Sequence, residues 1–298
     1  MIANDIAGDP DGLFSTVHAL LSPTAEVRGF VAIAAEGEQQ TPSRSIDVAR
    51  EILRIMNMTG QVPLHEGTTA KLTDVSKPPR SAGAQAIIDE AMRTDTDLPL
   101  FVTVGGGMTD MAVALILEPR IADRLTLVWI GGAPHDGPPT WEFNYSVDPA
   151  AVCFVFNDSR VPIWQVPSDA YGMCVISRAE LELNVAPYGR IGSWLYSKTL
   201  EVADSLPFNT GETWTLGDSP LVVLTALTSW FASSPKPLKF ENTGASKFVE
   251  IVTPRIGKDG AYEPRTEGRK MRVYTSIDTR TMHADLFAKL QLRASRHG

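Results

Sequence analysis

Continuous apolar runs alternate along this chain with segments whose apolar positions recur every three or four residues. Residues 13–22 (LFSTVHALLS) carry apolar positions at helical spacing, and 27–34 (VRGFVAIA) read as a strand. A helix is expected over 43–58, with Ile46, Ala49, Ile52, Leu53 and Met56 on one side. A helix over 82–94 precedes the strand LPLFVTV at 98–104, and a helix over 108–118 precedes the strand RLTLVWIGG at 124–132. AVCFVFN (151–157) and PIWQVP (162–167) read as short strands. From about 176 to 215 the chain reads mainly helical and polar. The stretch 233–270, rich in Pro, Gly, Lys and Glu, reads as an excursion over the surface. The strand RKMRVYTSID at 269–278 and a helix over 281–293 close the chain.

This alternation predicts an α/β fold with a central, mostly parallel sheet covered by helices on both faces. No internal repeat, low-complexity tract or linker divides it, so 1–298 is expected to be a single domain. Ligands bind such sheets beyond the carboxyl ends of the strands. The polar clusters at 5–12, 35–40, 105–110 and 131–144 all follow strand-like runs.

Composition removes several function classes. The formal net charge is −8 and no Lys/Arg run occurs, which argues against binding a nucleic-acid backbone. No apolar run reaches the roughly 18 residues of a membrane span. Asp5 and Asp9 sit where the apolar core of a leader peptide would lie, so none is expected. Cys153 and Cys174 lack metal-ligand spacing and read as reduced thiols of a cytoplasmic protein.

Acidic residues gather in three distant places. Asp5, Asp9 and Asp11 fall around a turn forced by Gly8 and Pro10; Glu142 lies in Trp141-Glu142-Phe143-Asn144; Asp218 follows Gly217. Carboxylates brought together from different strand ends suit a hard cation such as Ca²⁺, or a hydrolase that activates water. Asp9 or Asp11 has a second reading, as a cap on the helix that follows.

The chain resembles the nucleoside hydrolases of the inosine-uridine-preferring type. Asp5-Ile6-Ala7-Gly8-Asp9-Pro10-Asp11-Gly12 matches their aspartate-rich first loop. Gly106-Gly107-Met108-Thr109-Asp110 echoes a second motif that opens a helix. Ile130-Gly131-Gly132-Ala133, Glu142-Phe143-Asn144 and Asp148-Pro149-Ala150-Ala151 follow in the family's order, and then Gly217-Asp218. The resemblance implies a nucleoside-hydrolase-type fold and Ca²⁺-dependent cleavage of the N-glycosidic bond of a ribonucleoside or related riboside. It implies a Ca²⁺ held by Asp5, Asp218, the Thr109 carbonyl and Asp9 or Asp11. Asp5 would be the general base. Glu142, Asn144, Asp136, Asp11 and Gln39 would line the sugar, with Glu38 and Gln40 as alternatives to Gln39. A homo-oligomer, dimer or tetramer, is also implied.

Ala3 and Gly12 stand where the family has loop aspartates, Gly217 where it has a histidine that can protonate the leaving base, and Asp136 where it has an asparagine. His135 is then either a replacement acid or a solvent-exposed loop histidine. His18 and His65 read as structural. Trp141, Trp164, Trp214 and Trp230 are each open to base stacking or to packing. Two rival functions remain: a hydrolase of another sugar derivative, favoured by Gly217 and Asp136, and a non-catalytic nucleoside or sugar binder.

Overall fold

The computed structural model describes residues 1–35, 40–138, 140–205, 211–228 and 246–297. β1 (Ile2–Asn4), β2 (Phe30–Ala32), β3 (Leu64–Glu66), β4 (Leu100–Gly105), β5 (Leu125–Ile130) and β6 (Ile163–Val166) all run parallel. β7 (Val175–Ser177) and β8 (Thr213–Thr215) form a separate antiparallel ribbon. β9 (Lys247–Val252) is followed by a hairpin of β10 (Arg255–Ile256) and β11 (Tyr262–Glu263), and then by β12 (Lys270–Ser276). Among the described residues the main sheet has eight strands, in the order β3-β2-β1-β4-β5-β6-β12-β9, with only β9 antiparallel to its neighbour.

The helices are α1 (Pro10–Leu20), α2 (Pro42–Ile55), α3 (Ala82–Ala91), α4 (Thr109–Leu117), α5 (Phe143–Val147), α6 (Pro149–Asn157), α7 (Ser168–Tyr171), α8 (Arg178–Asn184), α9 (Gly189–Ser205), α10 (Pro220–Val222) and α11 (Thr279–His297). Asp9, Thr41, Ser81 and Asp148 cap α1, α2, α3 and α6, and in α1, α2 and α6 a proline follows at once. A short polar side chain then satisfies a free amide, and proline starts the helix at no hydrogen-bonding cost. One core, with Val104, Met111 and Phe156, lies under α3, α4 and α6. Another, with Phe14, Ile52, Leu195 and Leu290, lies under α1, α2, α9 and α11. Strands covered on both faces read as continuous apolar runs, as Leu127, Val128 and Trp129 do.

Three expectations change. AVCFVFN is helix α6 and not a strand, because the Asp148 carboxylate accepts from Ala151 N at 3.1 Å and starts a helix there. The 233–270 stretch is not merely a surface excursion: β9 pairs with β12 from Lys270↔Val252 to Ser276↔Lys247 and forms the sheet edge. Its earlier part, 233–245, lies outside the described residues. β3 and the β7–β8 ribbon were not anticipated. The strand expected over 27–34 narrows to Phe30–Ala32.

The strand order places the site. From β1 the chain moves outward to β2 and β3, then returns to β4 on the other side of β1. Connections leave β1 and β4 in opposite directions, so a crevice opens at their carboxyl ends.

Candidate active site

Asp5 leaves β1 on one side of that crevice, and Gly105-Gly106 ends β4 on the other. Gly106 has φ +141°, and a Cβ there would stand 3.1 Å from Asp5 Oδ2. A Cβ on Gly105 would lie 2.4 Å from both Asn4 Nδ2 and Asp218 Oδ2. Glycines are therefore what let the acidic side chains approach this strand end. Asp218 comes in from the loop after β8. Asn4 Nδ2 donates to Asp218 Oδ2 at 2.8 Å, and Asp218 N donates to Asp11 Oδ2 at 3.2 Å. Gly12 N donates to Asp11 Oδ1 at 2.7 Å. Asp9 caps α1 at the exposed rim and hydrogen-bonds Trp214. The capping reading of Asp9 thus describes its present contacts.

These acids repel one another. Burial pushes the Asp5 and Asp11 carboxyls well above the ordinary 3.8, and the charges of Asp218 and Asp9 push them further. Burial raises Asp218 to about 7, against the opposing hydrogen bond from Asn4. Asn4 Oδ1 is buried without a hydrogen-bond partner, beside the bare Cα of Gly12. Oxygen-only donors with uncompensated charge fit a hard cation such as Ca²⁺. Among the described residues no three His, Cys, Asp or Glu side chains are yet gathered closely enough to enclose a metal ion. Asp11 and Asp218 are held by amide donors instead.

Thr109 opens α4, where the second motif was expected to place it. Its hydroxyl donates to Asp148 Oδ2 at 2.8 Å, and Asp148 also accepts from Leu72 N at 2.7 Å. Asp110 accepts from Thr68 N and from the Ser81 hydroxyl, and burial pushes its carboxyl up to about 6. These two buried acids tie loops to helix starts.

Glu142 caps α5 from beyond the end of β5 and is buried. Asn144 Nδ2 donates to Ile130 O at 2.9 Å, which fixes that side chain to the strand end. His135 is not a free loop side chain. Its Nε2 lies 2.9 Å from Gln165 Oε1, and its ring stacks on Tyr262 with centroids 4.0 Å apart. Gln165 Nε2 donates to Gly131 O and to the Tyr262 hydroxyl, so Oε1 faces the imidazole and the neutral ring carries its proton on Nε2. Burial lowers the His135 pKa. Asp136 beside it is exposed. Gln39 and Glu38 lie outside the described residues, as does Trp230; Gln40 lies against Gly8. Trp141 is 73% exposed next to Glu142, while Trp164 packs on Phe101 within the sheet. His18 is buried against Asp285, consistent with a structural role. His65 lies in β3. Asn4, Tyr171, Gln165 and Tyr262 are neighbours that the sequence did not single out.

The family model for inosine-uridine preferring nucleoside hydrolase matches residues 2–284. The chain belongs to this family. Inosine-uridine preferring nucleoside hydrolases of Leishmania major and Crithidia fasciculata are 44% identical over 78 residues and 48% identical over 64 residues. Those stretches cover 25% and 20% of this chain, and only 24% and 19% of the relatives' own length. The whole fold is similar to a purine-preferring ribonucleoside hydrolase from Gardnerella vaginalis, with TM-score 0.76, 16% identity and 99% of each chain covered. It is also similar to the plant nucleoside hydrolase PpNRh1, with TM-score 0.72, 16% identity and 97% and 98% covered. The nucleoside hydrolase fold inferred from the motifs is therefore the fold of this chain. The family's acidic first loop and late aspartate meet here at the β1/β4 crevice.

Proposed function

We propose that this chain hydrolyses the N-glycosidic bond of a ribonucleoside or a closely related riboside, with Ca²⁺ held by Asp5, Asp11, Asp218 and the Thr109 carbonyl, and Asp9 at the rim. The observation that carries the reading is the convergence of buried Asp218 with half-buried Asp5 and Asp11 at the crevice of a nucleoside hydrolase fold, where Asp218 N donates to Asp11 Oδ2 and a Cβ on the neighbouring Gly105 or Gly106 would crowd Asp218 or Asp5. A cation held there would make a water easier to deprotonate and would bind sugar hydroxyls. Asp5 takes the proton of the attacking water. Asp11, Asn144 and Asp136 line the sugar, with Glu142 behind them; Gln39 lies outside the described residues. The surrounding carboxylates stabilise the positive charge that grows on the sugar as the bond breaks.

Gly217 carries no proton donor, so a poor leaving base lacks an acid at that position. Cleavage of p-nitrophenyl riboside is therefore expected to exceed that of inosine or uridine by about 10²-fold or more, the worth of one positioned proton transfer. If His135 supplies the acid that Gly217 lacks, His135→Ala spares the activated substrate and slows the nucleosides. Steady-state rates on both substrates check this. Equal losses on both would give His135 a structural or sugar-binding role. Turnover of neither, with cation bound, would favour the binding-protein rival.

The same reading extends to the setting of the protein. One domain is inferred because the sheet joins both ends of the chain, β1 beside β4 and β12 beside β6. Cys153 and Cys174 are free thiols, which fits a reducing cytoplasm. No helix among the described residues is long and apolar enough to cross a membrane. A dimer or tetramer is the assembly we infer from the resemblance.

A further inference from the structure

The Glu142 carboxylate is fully occupied. Its Oε2 accepts from Gly132 N at 2.7 Å and from Tyr145 N at 2.8 Å. Its Oε1 accepts from Asn144 N at 3.1 Å and from the Tyr171 hydroxyl at 2.8 Å. A carboxylate offers about four acceptor positions, so none remains for a ligand hydroxyl. Three of the donors are backbone amides at the end of β5 and the start of α5, which cannot withdraw without undoing those elements. The fourth is a side chain.

Tyr171 ends α7 and is half-buried. Its ring lies over Gly217: a Cβ there would stand 3.3 Å from Tyr171 Cδ2 and 3.1 Å from Asp11 Oδ2. The side chain thus spans the wall of the crevice, from the Asp11–Asp218 pair to Glu142. Burial and the adjacent Glu142 charge hold the phenol protonated, so it acts as a donor to Glu142. A phenol oxygen that donates can still accept.

We propose that Tyr171 is a sugar-binding residue of this site: a ribosyl hydroxyl donates to the Tyr171 oxygen while Tyr171 donates to Glu142. This rests on the proposed function. It makes Tyr171 the group that touches the sugar and Glu142 the positioning residue behind it.

Tyr171→Phe keeps the ring over Gly217 and removes only the oxygen. The test compares p-nitrophenyl riboside with the three analogues that each lack one sugar hydroxyl, on parent and variant, in Ca²⁺ buffer. The variant is expected to raise KM for the full riboside about tenfold, the loss of one hydrogen bond, with kcat changed far less. One analogue should show that loss on the parent and no further loss on Tyr171→Phe, because the contact is already gone. Losses that add for all three analogues would overturn the proposal. Each comparison is made on one protein, so a lower melting temperature of the variant does not blur it. Calorimetric titration of D-ribose into both proteins repeats the test without turnover: about tenfold weaker binding by the variant supports it, and equal binding overturns it. A parent that cleaves or binds ribosides while Tyr171→Phe matches it refutes only the role of Tyr171. A parent that does neither refutes the proposed function and this inference together.

Discussion

Asp5→Asn is expected to lower kcat on p-nitrophenyl riboside by about 10²–10⁴-fold, the usual worth of a positioned proton transfer. Asp5 stands at the end of β1 with its carboxylate against Gly106, at the mouth of the crevice. Asparagine keeps the shape and removes the base. Because Asp5 is also a proposed cation ligand, Ca²⁺ content is measured on the same preparation. A variant that keeps its ion and loses turnover supports Asp5 as base. Full activity with the ion bound would remove Asp5 from that role.

The second large effect is on stability. With no cation present, Asp218 has a carboxyl near pKa 7 in the fold against an ordinary 3.8 when unfolded. Below 3.8 both states are protonated and the site costs nothing. Between 3.8 and about 7 the unfolded chain ionises while the folded one keeps its proton, so stability falls as pH rises, and then levels off. The folded chain is therefore less stable above pH 7 than below pH 4, because ionising Asp218 in the fold works against its burial and the neighbouring acids. Asp5 and Asp11 act in the same direction. Chelator-treated protein should therefore melt at a lower temperature at pH 8 than at pH 5, and added Ca²⁺ should stabilise it more at pH 8. Ca²⁺ at about 100 times its dissociation constant contributes roughly 2.7 kcal/mol. Asp218→Asn should flatten the pH dependence and weaken the response to Ca²⁺. Melting curves of both proteins across this range check the sign. A chelated parent whose stability rises from pH 5 to 8, with no response to Ca²⁺, would contradict the account.

Much of this arrangement was legible from residue order alone, for reasons that particular segments show. β4 and β5 lie in the middle of the sheet, buried or half-buried along their length, so LPLFVTV and RLTLVWIGG read as near-continuous apolar runs. AVCFVFN has the same appearance, since a helix apolar on all sides carries no period to distinguish it. The deciding signal was Asp148-Pro149, a cap followed by a helix-starting proline. KFVEIV, which forms β9, carries four apolar residues without strict alternation, and it lies within a polar stretch whose composition suggested a loop. The acidic loop, Glu142 and Asp218 could be found because carboxylates carry their chemistry, whereas Thr109 came only from the resemblance of its motif, since a main-chain carbonyl has no residue type. The full coordination of Glu142 could not, because three of its four partners are main-chain amides and the fourth, Tyr171, is 29 residues away. Likewise nothing in PIWQVP announces that Gln165 sets the tautomer of His135, a contact made across 30 residues.

The most direct measurement is the release of free ribose from inosine, uridine and p-nitrophenyl riboside by purified protein, first stripped with chelator and then restored with Ca²⁺. The account predicts no release from the stripped protein and turnover on restoration, fastest on the activated riboside. It also predicts that Asp218→Ala stays inactive on restoration. Ribose release that is equal with and without Ca²⁺, or none from the restored parent on any of the three, would contradict it.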